Sequence, residues 1–117
     1  MKTKLSSHFY RKEFACKCGC GGDTVDVELL RVLDQLRMRW MAPVIITSGY
    51  RCAAHNAKVG GAPDSQHLVG KAADIAVRGI SAETIADYLD DQYPGRYGIG
   101  RYPTWTHIDV REREARW

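Results

Sequence analysis

Several things are missing from this 117-residue chain, and each absence excludes a class of protein. No apolar run approaches the roughly 18 residues of a membrane span, so a spanning helix is not expected. Behind the basic start MKTKLSSHFYRKEF there is no apolar stretch of signal-peptide length. The expectation is synthesis in the cytoplasm without a signal peptide and without stable membrane association. Strong charge is also missing: 17 Lys and Arg against 14 Asp and Glu leave +3 at neutral pH. With no basic stripe either, nucleic acid is disfavoured as a partner. No internal repeat or low-complexity segment is present. A hydrophobic content of 44% and a charged content of 26% are ordinary for a globular protein. The length predicts one domain over 1–117, expected to be monomeric.

Hydrophobic periodicity supplies the elements. DTVDVELLRVLDQLRMRW carries Val27, Leu30, Leu33 and Trp40 on a helical stripe, widened by Leu29, Val32 and Leu36, with Asp26 at the N-cap. Pro43 then blocks helix, and Val44 to Thr47 reads as a buried strand closed by Gly49. CAAHNAKVG predicts a short helix ended by Gly60, and GAPDSQHLVG a loop. AADIAV predicts a second strand, and SAETIADYLDDQY a helix capped by Ser81. RYGIGRY and WTHIDVR, joined at Pro103 and Thr104, predict a hairpin. This order implies an α+β domain, a small, mainly antiparallel sheet flanked by helices.

In WTHIDVR the strand period puts Thr106, Ile108 and Val110 on the core face and Trp105, His107, Asp109 and Arg111 on the other. That second face carries more chemistry than a solvated strand needs. Upstream, His67 and Asp74 are separated by Gly70, which lets the chain turn from loop into strand. Two nitrogen ligands and one oxygen ligand make a normal protein shell for catalytic zinc, which keeps a further position open. His67, Asp74 and His107 are therefore the candidate metal ligands. His55 and Asp64 read instead as organisers of the loop.

SQHLVGKAAD fills the pattern S-x-H-x-x-G-x-A-x-D through Ser65, His67, Gly70, Ala72 and Asp74. With SGYR upstream, THIDVR downstream, the opening FACKCGCGG and the closing ARW, the chain resembles the zinc D-Ala-D-Ala carboxypeptidase family. That family includes phage L-alanyl-D-glutamate endopeptidases and shares its fold with the hedgehog signalling domain. The resemblance implies a hedgehog-like, DD-peptidase-like fold, Zn2+ bound by His67, Asp74 and His107, and Arg51 near the substrate. Arginine suits that role because its planar fork pairs with a carboxylate and keeps its charge. Ser65 and Trp105 are added as substrate-binding candidates. Many members place a catalytic Glu or Asp three residues before the final histidine, where this chain has Thr104. Asp109, on the face of His107, is then the candidate base, or else the partner that orients a zinc-bound imidazole.

The implied function is a zinc metallopeptidase hydrolysing the stem peptides of peptidoglycan, an endolysin-type endopeptidase of a phage or prophage acting at the wall after release. A D-Ala-D-Ala carboxypeptidase and a non-catalytic, zinc-stabilised wall-binding module are the alternatives, the second favoured by Thr104. Cys16, Cys18, Cys20 and Cys52 remain open between a second metal site and free or partly oxidised thiols; the first three are too close for the usual C-x-x-C knuckle.

Overall fold

The computed structural model describes residues 4–117, so the first three residues of the basic N-terminal stretch lie outside it. Helix α1 spans Val27–Trp40, and the Asp26 carboxylate accepts from the Glu28 N–H as its N-cap. Its buried residues are Leu29, Val32, Leu33 and Leu36. That i, i+3, i+4, i+7 row is displaced from the expected stripe: Val27 is exposed, while Leu30 and Trp40 are only partly buried. Val27 begins the helix and has no preceding turn to pack beneath it.

Strand β1 (Val44–Ser48) buries Val44 and Ile46 but exposes Ile45. The expectation of a buried strand holds for one face and is corrected for the other, because β1 lies at the sheet edge and only one of its faces meets the core. The short helix α2 (Ala53–Lys58) follows, as expected, with Gly60 just past its end in the left-handed region. The expected loop holds a 3-10 turn, Gln66–Val69, closed by Gly70 at φ 73°. Strand β2 (Ala72–Val77) leads to helix α3 (Ala82–Gln92), where Ser81 Oγ accepts from the Thr84 N–H. Strands β3 (Gly98–Arg101) and β4 (Thr106–Asp109) form the predicted hairpin. Strand β5 (Ala115–Arg116) was not expected; it is too short to show any period.

The sheet has the order β1-β2-β4-β3-β5, antiparallel throughout except for the parallel β3–β5 pair. With the three helices this is the predicted α+β architecture. Ile75, Val77, Ile99, Ile108 and Val110 join the core with α1 and α3. Burying each such side chain contributes about 1.5–3 kcal/mol. Thr106 shares that face, and its hydroxyl donates to the Ala82 carbonyl.

The opposite face of the central strands carries the polar residues. Asp74 pairs directly with His107 across β2–β4, Ser48 with Asp74 on one side, and Gly100 with His107 on the other. Every residue of β4 is buried. Alternation alone would leave half of them solvated, but the 3-10 turn and the C-terminal residues cover this face. Arg116 fastens the C-terminal segment: its guanidinium donates to the Asp90 carboxylate and to the carbonyls of Tyr93, Arg96 and Tyr97. No helix among the described residues is long and apolar enough to cross a membrane.

Candidate active site

His67 is held at its backbone and at its ring. Ser65 caps the 3-10 turn by accepting from the His67 N–H, and the His67 carbonyl accepts from the Arg51 N–H. His67 Nδ1 lies 2.7 Å from the Gly49 carbonyl. A carbonyl only accepts, so Nδ1 carries the proton and Nε2 is left with its lone pair. That atom lies 3.4 Å from Asp74 Oδ1.

His107 is held in the opposite sense. Its Nε2 donates to Asp109 Oδ2 at 2.7 Å, and its Nδ1 lies 3.0 Å from Asp74 Oδ1. Thus Nε2 of His67, Nδ1 of His107 and a carboxylate oxygen of Asp74 converge, with the ligand atoms all within 4.8 Å of one another. Around a tetrahedral zinc with bonds of about 2.0–2.1 Å, ligand atoms sit about 3.3 Å apart. The observed 3.4 and 3.0 Å bracket that spacing. The donor set fits zinc, and each imidazole has its other nitrogen fixed by a protein acceptor, as metal-binding histidines require.

The same contacts set the electrostatics of the metal-free site. Burial opposes ionisation of Asp74, but hydrogen bonds from His107 and His67 outweigh it and hold the carboxyl below its ordinary range. Burial likewise opposes protonation of His107, yet the bonds to Asp109 and Asp74 raise its pKa. The second Asp74 oxygen accepts from Arg51 Nη2 at 3.2 Å. Arg51 also donates through Nε to Ser48 Oγ and through Nη1 to Asn56 Oδ1. Asn56, which sequence reasoning missed, is buried and donates to the Ala62 carbonyl, tying α2 to the loop before His67.

Asp109 is fully buried. Its two oxygens accept from the Gly98 N–H, from His107 Nε2, and from the backbone N–H, Nε and Nη2 of Arg111. Burial works against the charge, but His107 and Arg111 keep the carboxyl below the ordinary range. The carboxylate lies so close over Gly98 that a Cβ there would collide with it.

A cleft of about 470 Å³ opens over the three ligands, a size normal for ligand sites. Arg51, Ser65 and Trp105 line it, as do Asp64, Tyr102, Arg111 and Trp117. Asp109 is not in its lining, and Thr104 is exposed in the β3–β4 connection, also outside it. Trp105 stacks on Tyr102 with ring centroids 4.5 Å apart. Trp117 donates to the Tyr102 hydroxyl, and its ring lies 4.9 Å from that of His107. Tyr102 and Trp117 had no assigned part in the sequence reading. Only an aromatic residue close to the hairpin and another closing the chain could have suggested them.

None of the curated proteins compared with the chain matches it. A family model described as Peptidase M15 matches residues 7–109, which takes in the 3-10 turn, β2, β4 and all three candidate ligands. The chain therefore belongs to the Peptidase M15 family, that of the zinc D-Ala-D-Ala carboxypeptidases.

Proposed function

We propose that this protein is a zinc-dependent endopeptidase cleaving stem peptides of bacterial peptidoglycan, an endolysin-type enzyme of a phage or prophage. The observation that carries the reading is the convergence of His67, Asp74 and His107 beneath an open cleft. When bound there, zinc supplies a Lewis acid for the scissile carbonyl and makes water nucleophilic near neutral pH.

The chain's own residues divide the remaining work. Gly49 and Asp109 fix the two imidazoles in opposite tautomers. Arg51 steadies Asp74 through its outer oxygen. Arg51 commits Nε and one N–H of each terminal nitrogen to protein acceptors. With five donors in all, it keeps one N–H on each terminal nitrogen for a peptide oxygen or carboxylate of the substrate in the cleft that it lines. Tyr102, Trp105 and Trp117 supply apolar and hydrogen-bonding surface for the peptide and keep water from one side of it.

Asp109 acts as the positioning partner of His107, since its two oxygens accept from five N–H groups of Gly98, His107 and Arg111 and the residue itself does not line the cleft. Apart from the ligand Asp74, the carboxylate lining the cleft is the exposed Asp64, and to it we assign taking a proton from water and returning it to the leaving amine. Asp64→Asn is expected to lower kcat about 10²–10⁴-fold with zinc content unchanged. A variant that keeps full kcat would return the base assignment to another group.

The reading as a whole is tested by mass spectrometry of fragments released from purified peptidoglycan, with His67→Ala as control. New amines at an internal stem bond, absent from the control, are expected. Release of the terminal residue alone would make the enzyme a carboxypeptidase. Binding to the wall without release of any amine, or cleavage retained in the control, would overturn the mechanism.

A further inference from the structure

A second group of side chains able to ligate a metal stands apart from the cleft. Cys16, Cys18 and Cys20 come from the CKCGCGG segment, and Cys52 is the N-cap of α2, yet all four sulfurs lie within 4.8 Å of one another. Cys16 and Cys18 are 3.4 Å apart, Cys18 and Cys52 3.6 Å, and Cys16 and Cys52 3.8 Å. A disulfide would need about 2.05 Å. Four thiolates around a zinc with bonds of about 2.3 Å sit about 3.8 Å apart. The cluster therefore has the spacing of a tetrahedral thiolate shell and not that of a bridge.

The backbone around the sulfurs has the matching polarity. The Cys52 N–H points at Cys16 Sγ, the His55 N–H at Cys52 Sγ, and the Gly22 N–H at Cys20 Sγ. Amide donors of this kind stabilise negative charge on sulfur, and metal binding requires the thiolate. The tight C-x-C-x-C spacing is made possible by Gly19 and Gly21, both at positive φ. The turn itself is closed by the Cys16 N–H to the Gly22 carbonyl and the Gly19 N–H to the Cys16 carbonyl.

We propose that Cys16, Cys18, Cys20 and Cys52 bind a structural zinc ion. With four protein ligands the site has no open position, so it stabilises rather than catalyses. It joins the N-terminal segment to the start of α2, at the residue next to Arg51. Loss of this metal releases both the CKCGCGG turn and the backbone that carries the arginine contacting Asp74.

The test is metal analysis of the full chain, beginning with His67→Ala, which removes a ligand of the other centre only. This variant is expected to retain a tightly held zinc, and its cobalt-substituted form to show the sulfur-to-cobalt charge-transfer band and intense visible bands of a tetrahedral thiolate site. In the wild type the four thiols should resist a disulfide-exchange reagent until a chelator is added, and the chelator should lower Tm. Cys18→Ser/Cys20→Ser should lose that zinc while His67, Asp74 and His107 keep theirs; if this variant fails to fold, the cobalt spectrum of His67→Ala still decides. No metal in His67→Ala, or thiols equally reactive with and without chelator, overturns the proposal. The inference does not rest on the peptidase reading. A chain that holds zinc at the thiols but cleaves nothing would refute that reading and leave this one standing.

Discussion

Asp109→Asn separates orientation from proton transfer at the one carboxylate that touches His107 Nε2. The wild-type oxygens accept from five N–H groups belonging to Gly98, His107 and Arg111. An amide offers a single acceptor oxygen, so in either orientation its NH2 faces a donor. Breaking a buried ion pair costs about 3–5 kcal/mol. The Arg111 side chain is 34% exposed and can turn its charge into solvent, so the lower end, about 3 kcal/mol, is expected from urea unfolding of the metal-free protein. The effect on the metal is separate. Loss of a partner that orients a ligand weakens metal binding about 10–100-fold, or about 1.4–2.8 kcal/mol. Titration of zinc against a competing chelator measures this, and peptidoglycan cleavage should recover as free zinc is raised. Unchanged zinc affinity, with activity still absent at saturating zinc, would refute the reasoning and make Asp109 the proton-transfer group.

Other outcomes follow from the same geometry. In the metal-free protein the raised pKa of His107 means that its charged form contributes stability fully below the ordinary value of 6.5 and loses it as pH rises through the raised value. Zinc affinity should climb over that same interval, because binding displaces the Nδ1 proton. Urea unfolding and chelator competition across pH check both signs, and a pH-independent affinity would contradict them. Trp117→Ala removes a cleft wall and an aromatic contact of about 0.5–1.5 kcal/mol, so KM should rise about two- to tenfold with zinc content unchanged. Leu33→Ala, in the fully buried row of α1, should cost about 2–5 kcal/mol in chemical denaturation while leaving metal binding intact.

Much of the fold was legible because its signals are local. Asp26 and Ser81 mark helix starts, Pro43 ends a helical reading, and a period of two runs through AADIAV and WTHIDVR. The three candidate ligands were legible for the same reason, since Gly70 and the period of β4 constrain where His67, Asp74 and His107 point. The surroundings of those ligands were not. That Asp109 is saturated depends on Gly98 of the neighbouring strand and on Arg111 folding back along its own, and one-dimensional spacing does not report cross-strand partners. Exposure of Ile45 depends on β1 being the sheet edge, which only the strand order decides. Strand β5 owes its existence to Arg116 and its partners on α3 and β3, so its two residues carry no pattern of their own. The cysteines' convergence likewise depends on how far Cys52 returns in space, not on the 16–20 spacing.

Ser48, Asp74, His107 and Gly100 occupy one row across four strands. Asp74 and His107 are 33 positions apart, yet their separation is fixed by backbone pairing and is indifferent to the length of chain between them. Evolution and protein engineering are therefore free to lengthen or shorten the exposed bends around Gly95 and Thr104 without retuning the metal centre. A single deletion inside β4 has the opposite effect. It turns His107 toward the hydrophobic core and sends its neighbour to the cleft, so the site tolerates large changes of sequence at its margins and almost none along one short strand.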